Sequence, residues 1–343
     1  MASIDFTRRQ FSALAAAPAL LAVPGVRSTS AATGRLGPRN VWVAGVTMAG
    51  LTLRNKAQAL DVTIARMDQL ASNKPDIVCL SEEFYLANYT SPDFHDEWSE
   101  TVPGPVTDRV ARWASTHNSY VICPIYERRD GKCFNTAVVI DRGGGIVGRY
   151  DKIHPTEEEL HEGAQCGRVE PVVIETDCGK IGVLICFDVE WPREWSTLKQ
   201  KGAEIVFWPS AYAGGRALNA LAWINSYYIV SAPWVETSDA QVMDICGDVM
   251  ATSSEWQPWV CTSVNLAKAV FHTDGQIEKV HELEAKYGRA VRVRWYTPEH
   301  RFTLEVLGEG LSIDRLQAEF GLITKNDYIT RCGHAQDASL GKR

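Results

Sequence analysis

The chain has 343 residues, of which 45% are hydrophobic and 22% are charged, and its formal net charge is −7 at pH 7. This composition is typical of a globular protein with a large buried core, and the length is compatible with one large domain or two smaller ones. The acidic balance and the lack of a long Lys/Arg cluster argue against nucleic acid as a partner.

The N-terminus has the pattern of an export signal. Arg8 and Arg9 precede an apolar run over residues 11–26, which two prolines interrupt. The run is too short and too broken for a membrane span of about 20 residues, so we expect no stable membrane insertion. Twin arginines before such a run resemble a twin-arginine (Tat) signal, with small residues for cleavage after Ala32. We therefore expect residues 1–36 to be a Tat-type signal peptide and short linker, and the mature protein to be periplasmic or extracellular.

Beyond this segment, strand-like and helix-like runs alternate along the chain, with no repeat and no glycine-rich linker. Apolar residues recur at helical spacing in residues 55–72 and 106–118. Because hairpins join many of the strands, we expect mixed sheets that pack together between helices in one α/β domain over residues 37–343. Further strands are predicted at 41–48, 76–83, 120–127, 133–152 and 204–212, and further helices at 191–202 and 312–323, the last with Ser312 as its N-cap.

Three ionisable residues stand where apolar, strand-like runs end. Cys186 ends GVLIC, Glu82 follows DIVCLS, and Lys152 follows GRYD. A cysteine nucleophile needs a base for its proton and a cation or amides for the developing oxyanion. Side chains at the carboxyl ends of neighbouring strands can meet in one crevice. Taken singly, each of the three is more commonly an ordinary surface charge or a packing cysteine.

The segments CLSEEF (79–84), GRYDKIHP (148–155) and GVLICFDVEWP (182–192) resemble the glutamate, lysine and cysteine boxes of the nitrilase (carbon–nitrogen hydrolase) superfamily. Their order matches that family, although Ser81 stands where proline is usual. The resemblance covers roughly residues 40–270 and leaves a C-terminal extension. It implies a four-layer α-β-β-α sandwich, no cofactor and no metal, and pairing of protomers into a homodimer or a higher homo-oligomer.

The resemblance also implies roles for individual residues. Glu82 is the general base, Cys186 is the nucleophile, and Lys152 with the backbone N–H of Phe187 stabilises the oxyanion. A second glutamate positions the substrate and the base, and Glu159 is favoured for this role. The alternatives to Glu159 are Glu157, Glu158 and Glu162, and the further substrate-binding candidates are Tyr89, Trp191 and Tyr212.

The implied reaction is hydrolysis of a non-peptide C–N bond through a cysteine thioester, with release of ammonia or an amine. True nitrilases tend to have Trp-Glu after the cysteine, whereas Phe187-Asp188 here is more typical of amidases and carbamoylases. We therefore expect a small-molecule amide or N-carbamoyl substrate, with a nitrile as the alternative. A Cys–His pair with His154 is a minor alternative for the base. A non-catalytic exported binding protein and a membrane-tethered interaction protein are alternatives of another class.

Overall fold

The computed structural model describes residues 36–51, 53, 55–85, 98–235 and 239–341. The cleavable part of the predicted Tat-type signal and the substrate-binding candidate Tyr89 lie outside these residues. Within them, no helix is both long and apolar enough to cross a bilayer.

Two mixed six-stranded sheets form the centre of the described structure. The first sheet has the order β12-β1-β2-β3-β4-β5 and the second has the order β11-β10-β9-β8-β7-β6. In each sheet three neighbouring strands are parallel (β1 to β3 and β7 to β9), and antiparallel strands extend both edges. The strands are β1 (Asn40–Val46), β2 (Ile77–Cys79), β3 (Tyr120–Arg129), β4 (Lys132–Ile140), β5 (Ile146–Asp151), β6 (Val173–Thr176), β7 (Gly179–Val183), β8 (Ile205–Pro209), β9 (Tyr228–Ala232), β10 (Gln241–Met243), β11 (Val249–Thr252) and β12 (Trp259–Asn265).

Helices cover the outer face of each sheet. Helices α1 (Lys56–Leu70) and α2 (Pro105–His117) pack on the first sheet, and their Met67 and Val110 are fully buried against its strands. Helices α4 (Pro192–Gln200) and α5 (Arg216–Asn225) belong to the core of the second sheet.

The inner faces of the two sheets share one apolar core. Val43 and Ile77 of the first sheet pack in the same cluster as Ile181 and Phe207 of the second. Strands that are buried on both faces read as continuous apolar runs, and β8 and β9 have that pattern. The layers are therefore helix, sheet, sheet and helix, which confirms the predicted four-layer α/β fold.

The C-terminal part of the described chain adds a smaller antiparallel sheet with its own apolar core. Ser312 caps a helix as predicted, since its side chain accepts a hydrogen bond from the Arg315 N–H at 3.1 Å. Lys325 ties this part to the end of α5 through the Ile224 carbonyl, at 2.6 Å. The elements are β13 (Lys268–His272), α6 (Ile277–Tyr287), β14 (Val291–Tyr296), β15 (Arg301–Val306), α7 (Ile313–Phe320) and α8 (Lys325–Ser339).

Candidate active site

The turn after β2 carries the first candidate residue. The sequence predicted a strand over residues 76–83, but β2 ends at Cys79 and Glu82 lies in a turn. Glu83 has a φ of 47°, a left-handed conformation that costs a non-glycine residue about 1–3 kcal/mol. Ser81, which replaces the usual proline, is buried, and its hydroxyl lies 2.9 Å from the Val46 carbonyl and 3.0 Å from the Pro233 carbonyl. It therefore links this turn to the ends of β1 and β9.

Lys152, directly after β5, is the centre of a buried ionic cluster. Its Nζ donates to Glu82 Oε1 at 2.8 Å and to Glu159 Oε2 at 2.7 Å. The side chains of Lys152, Glu82 and Glu159 are 1%, 3% and 12% exposed. Burial lowers the pKa of Lys152, but the carboxylates of Glu82 and Glu159 and the Cys186 sulfur outweigh it and hold that pKa well above its ordinary value. The ammonium therefore stays charged beside the carboxylates.

Glu159 lies in the short helix α3 (Glu157–His161) and reaches the site through a capping box. Its N–H donates to Thr156 Oγ1 at 3.2 Å, and its Oε2 accepts from the Thr156 N–H at 2.7 Å. Glu157, Glu158 and Glu162 are exposed, so only the favoured candidate reaches Lys152. Burial raises the pKa of Glu159, yet the Lys152 ammonium outweighs it and the net pKa lies below the ordinary value.

Asn135 of β4 joins the carboxylates, and the sequence analysis did not select it. Its Nδ2 lies 2.8 Å from Glu82 Oε1, 2.9 Å from Glu159 Oε1 and 3.1 Å from Glu83 Oε1. Within the part of the chain that the structure describes, Asn135 Oδ1 and Glu82 Oε2 are buried without a hydrogen-bond partner. One oxygen of Glu82 is thus held by Lys152 and Asn135, and the other is free to accept a proton.

Cys186 opens a 3₁₀ turn (Cys186–Glu190) shortly after β7 and is 5% exposed. Its φ of 45° is left-handed, which marks a sharp, strained turn. The Ser210 hydroxyl and the Ala211 N–H donate to its sulfur, and the Trp208 indole N–H donates to its carbonyl at 3.0 Å. These three partners follow one another around the end of β8, in the FWPSAY segment.

The electrostatic surroundings of the thiol favour its protonated form. The pKa of Cys186 is raised by burial and, to a smaller extent, by the charge of Glu82. Lys152 and the hydrogen bonds from Ala211 and Ser210 lower it, but the net pKa is well above the ordinary value. A neutral thiol is a weak nucleophile and needs a base at the moment of attack. Glu82, which interacts electrostatically with this thiol, has a free oxygen for that purpose.

Aromatic side chains stand next to Cys186. Phe187 and Trp191 are half-buried and lie edge to face, with ring centroids 5.1 Å apart, and His154 stacks on Trp191 at 3.9 Å. Tyr212 contacts Trp208 edge to face at 5.5 Å, and its pKa is raised by burial and by the nearby Cys186. His154 Nε2 faces Glu194 Oε1 at 3.4 Å, and none of its described contacts is with Cys186.

Asp188 connects the cysteine turn to the lysine segment through its hydrogen bonds. Its carboxylate accepts from the Tyr150 hydroxyl at 2.7 Å, the Ile185 N–H at 2.9 Å and the His154 N–H at 2.9 Å. The residue is fully buried, and burial, although opposed by these hydrogen bonds, raises its pKa to about 6.

The three glutamates also have the donor set of a cation site. Oxygens of Glu82, Glu83 and Glu159 lie within 4.8 Å of one another. However, the Lys152 ammonium already contacts two of these carboxylates, and Asn135 Nδ2 lies within 3.1 Å of an oxygen of each of the three. A divalent cation would have to displace Lys152, so the cluster is arranged around an ammonium group.

Comparison with known proteins identifies the family. The model of the carbon–nitrogen hydrolase family matches residues 43–266, well over half of the chain. A β-ureidopropionase from Arabidopsis thaliana is 34% identical over 178 residues, which are 47% of this chain and 43% of that enzyme. The chain thus spans less than half the length of this curated relative.

Solved structures share the fold at low sequence identity. A carbon–nitrogen hydrolase from Helicobacter pylori G27 superposes with a TM-score of 0.59 at 18% identity, over 73% of this chain and 93% of that chain. An amidase of the nitrilase superfamily from Nesterenkonia AN1 superposes with a TM-score of 0.57 at 17% identity, over 68% and 93%. The family that the sequence motifs indicated is thereby confirmed. The chain belongs to the carbon–nitrogen hydrolase family.

Proposed function

We propose that the protein hydrolyses the C–N bond of a small amide or N-carbamoyl compound through a thioester on Cys186. The observation that carries this proposal is the buried cluster of Lys152, Glu82 and Glu159, which acts electrostatically on a thiol in a strained turn. Such a combination of base, cation and nucleophile is what acyl transfer to a thiol requires.

The first half of the reaction forms the thioester. Glu82 takes the thiol proton while the Cys186 sulfur attacks the carbonyl carbon, and the C=O electron pair moves onto oxygen. Lys152 and the Phe187 N–H stabilise that oxyanion. The tetrahedral intermediate collapses, the C–N bond breaks, and the departing nitrogen takes the proton from Glu82. Because the resting thiol is protonated, a Glu82 that can accept its proton is essential to this step.

The second half regenerates the enzyme. A water molecule gives a proton to Glu82 and attacks the thioester carbon, again with the oxyanion beside Lys152. The C–S bond breaks, and the proton returns from Glu82 to the sulfur. Glu159 shares Lys152 with Glu82 and accepts from Asn135, so we assign it the positioning of both catalytic groups.

Two observations favour an amide or carbamoyl substrate over a nitrile. The residues after the cysteine are Phe187 and Asp188, rather than the Trp-Glu pair that is typical of nitrilases. Among the similar proteins are a β-ureidopropionase and an amidase. The half-buried Phe187, Trp191 and Tyr212 are proposed as walls of the substrate pocket, and Tyr89 remains a candidate from the sequence.

The test is a screen for ammonia release with simple amides, N-carbamoyl amino acids and nitriles, run in parallel on the wild type and on Cys186→Ala. We expect release from at least one amide or carbamoyl compound, and a rate at the uncatalysed background for the variant. Cys261→Ala, in a half-buried position of β12, is the matched control and keeps activity. Release by Cys186→Ala would refute the thioester, and release from nitriles alone would select the nitrilase alternative.

We also propose export by the Tat route and assembly as a homodimer or a higher homo-oligomer. Export rests on the twin arginines before the short apolar run, and assembly rests on the resemblance to the family. Mass spectrometry of the mature N-terminus, expected at residue 33, and light scattering of the purified protein test the two points. An intact N-terminus or a monomeric mass would refute the respective proposal.

A further inference from the structure

Glu83 is a third carboxyl group in the cluster, next to Glu82 in the turn after β2. Two consecutive residues of an extended strand would point in opposite directions. Here the left-handed φ of 47° at Glu83 brings both side chains to the same amide, and Asn135 Nδ2 lies 2.8 Å from Glu82 and 3.1 Å from Glu83. The chain thus adopts an unfavourable backbone conformation that adds a carboxyl group to an already acidic site.

The cluster has too few positive charges for three carboxylates. Lys152 is the one cation among the described contacts of these glutamates, and it donates to Glu82 and Glu159. With all three glutamates ionised, this group, in which Glu82 and Glu159 are buried and Glu83 is half-buried, would have a formal charge of −2. Like charges this close disfavour simultaneous ionisation and favour a proton on one of the three groups.

The Asn135 amide has too few hydrogens for the carboxylates around it. It has two N–H hydrogens but three carboxylate oxygens within 3.1 Å of Nδ2, and its own Oδ1 is buried without a donor among the described residues. A protonated carboxyl group at Glu83 removes one competing acceptor and supplies an O–H donor. Charge and hydrogen bonding therefore both favour one additional proton.

From this arrangement we infer that Glu83 is a protonated positioning residue, which leaves the Lys152 ammonium and the Asn135 amide to Glu82 and Glu159. The inference deepens the proposed function and rests on it for its effect on turnover. Glu83 does not touch the reacting atoms. Because its own carboxyl group is neutral, the Cys186 thiolate does not form beside a further negative charge.

The groups that face Glu83 agree with this assignment. Burial raises the pKa of Glu83, and the carboxylates of Glu82 and Glu159 raise it further. A hydrogen bond from the Tyr126 hydroxyl and the charge of Lys152 lower it, but the net pKa is well above the ordinary value. Tyr85 and Cys133 also interact with it; both are ordinarily neutral at pH 7, and burial raises the pKa of each further. The facing groups are Glu82 and Tyr85 from its own turn, Tyr126 from β3, Cys133 from β4, Lys152 after β5 and Glu159 from α3.

The first experiment is independent of turnover. Infrared difference spectra at neutral pH compare the wild type with Glu83→Gln and follow the C=O stretching band of a protonated carboxyl group. We expect the wild type to have such a band and Glu83→Gln to lack it. Glu158→Gln, the same change at an exposed position of α3, keeps the band. A wild-type spectrum without it, or a band that persists in Glu83→Gln, overturns the inference.

The second experiment measures kcat/KM against pH with a substrate found in the ammonia screen. Ionisation of Glu83 at alkaline pH disfavours the Cys186 thiolate, so the wild-type profile falls there. In Glu83→Gln this alkaline limb shifts to higher pH, whereas Glu158→Gln leaves it in place. An identical limb in Glu83→Gln and the wild type contradicts the inference.

The two experiments separate the possible failures. If the wild type hydrolyses no compound in the screen, the proposed function fails, while the infrared band still decides the protonation of Glu83. If Glu83→Gln does not fold, the wild-type band is followed in a pH titration, and we expect it at neutral pH and its loss on the alkaline side. Loss of every carboxyl band below neutral pH overturns the inference, whereas loss of one band near pH 6 is expected from Asp188.

Discussion

Replacing Lys152 by methionine should cost much of the stability of this domain. The side chain is 1% exposed, and its Nζ lies 2.8 Å from Glu82 and 2.7 Å from Glu159. Lys152→Met keeps most of the volume but leaves two buried carboxylates without their cation. Removal of one partner from a buried ion pair typically costs about 3–5 kcal/mol, a large part of a total of about 5–15 kcal/mol. We expect the loss in the free energy of unfolding at pH 7 to fall in the same range of about 3–5 kcal/mol.

The pH dependence distinguishes this mechanism from a simple packing defect. In the wild type, Lys152 outweighs the effect of burial and holds the pKa of Glu159 below its ordinary value, so the stabilisation is present above about pH 4.3 and is lost below it. In Lys152→Met the ammonium no longer opposes burial, and only the hydrogen bonds from Thr156 and Asn135 still lower the pKa of Glu159, so that pKa rises relative to the wild type. The variant then takes up a proton and regains stability as the pH falls. The difference between the two proteins should therefore narrow from pH 7 towards pH 5.

Urea unfolding at pH 7 and at pH 5, followed by tryptophan fluorescence, measures both effects. Lys180→Met is the matched control, because Lys180 forms an exposed ion pair with Glu175 at 3.0 Å, and such pairs contribute little. Equal urea midpoints for Lys152→Met and the wild type at pH 7 would refute the buried ion cluster. A difference that stays constant between the two pH values would assign the loss to packing.

Two further predictions concern Asp188 and metal ions. Because burial raises the pKa of Asp188 to about 6, its contribution to stability is fully present below about pH 4 and is lost as the pH rises through about 6. Over that window the wild type should lose about 2–3 kcal/mol relative to Asp188→Asn, and urea midpoints of the two proteins that change in parallel with pH would contradict this. Prolonged treatment with EDTA should leave ammonia release unchanged, because Lys152 already occupies the carboxylate cluster. Inhibition that Mg²⁺ or Zn²⁺ reverses would show that a metal cation belongs there.

The sequence predicted the layers of the fold better than the elements near the end of the chain. Alternating apolar runs and hairpin turns predicted the two mixed sheets, since residues buried on both faces leave a strong pattern. The helix Lys325–Ser339 has no such pattern, because Lys325 is its one buried residue. It was missed for that reason. The helix Ile277–Tyr287 has Val280 and Leu283 on one face and a glycine after its last turn. These features are typical of a helix, so this element could have been predicted from the sequence.

The candidate site was predictable where a local rule applies. The three segments that resemble the family's glutamate, lysine and cysteine boxes predicted Glu82, Lys152 and Cys186, and the contacts of Lys152 with Glu82 and Glu159 agree with that prediction. Glu159 could be distinguished from its neighbours by the capping box, because Thr156 followed by a glutamate at the third position directs that side chain back along the chain. Trp208 and Ser210 lie in a segment predicted only as a strand, and their contacts with Cys186 are long-range and have no local signal.

Glu83 shows why neighbouring residues of the same type cannot be ranked from a strand pattern. An extended strand through residue 83 would direct Glu82 and Glu83 to opposite faces, and one of the two would then point away from the site. The strand ends at Cys79 instead, and a left-handed Glu83 turns both carboxyl groups towards Asn135. No propensity of glutamate predicts a positive φ. The conformation follows from the partners that the fold supplies, and this dependence makes the protonation of Glu83 a property of the folded cluster as a whole.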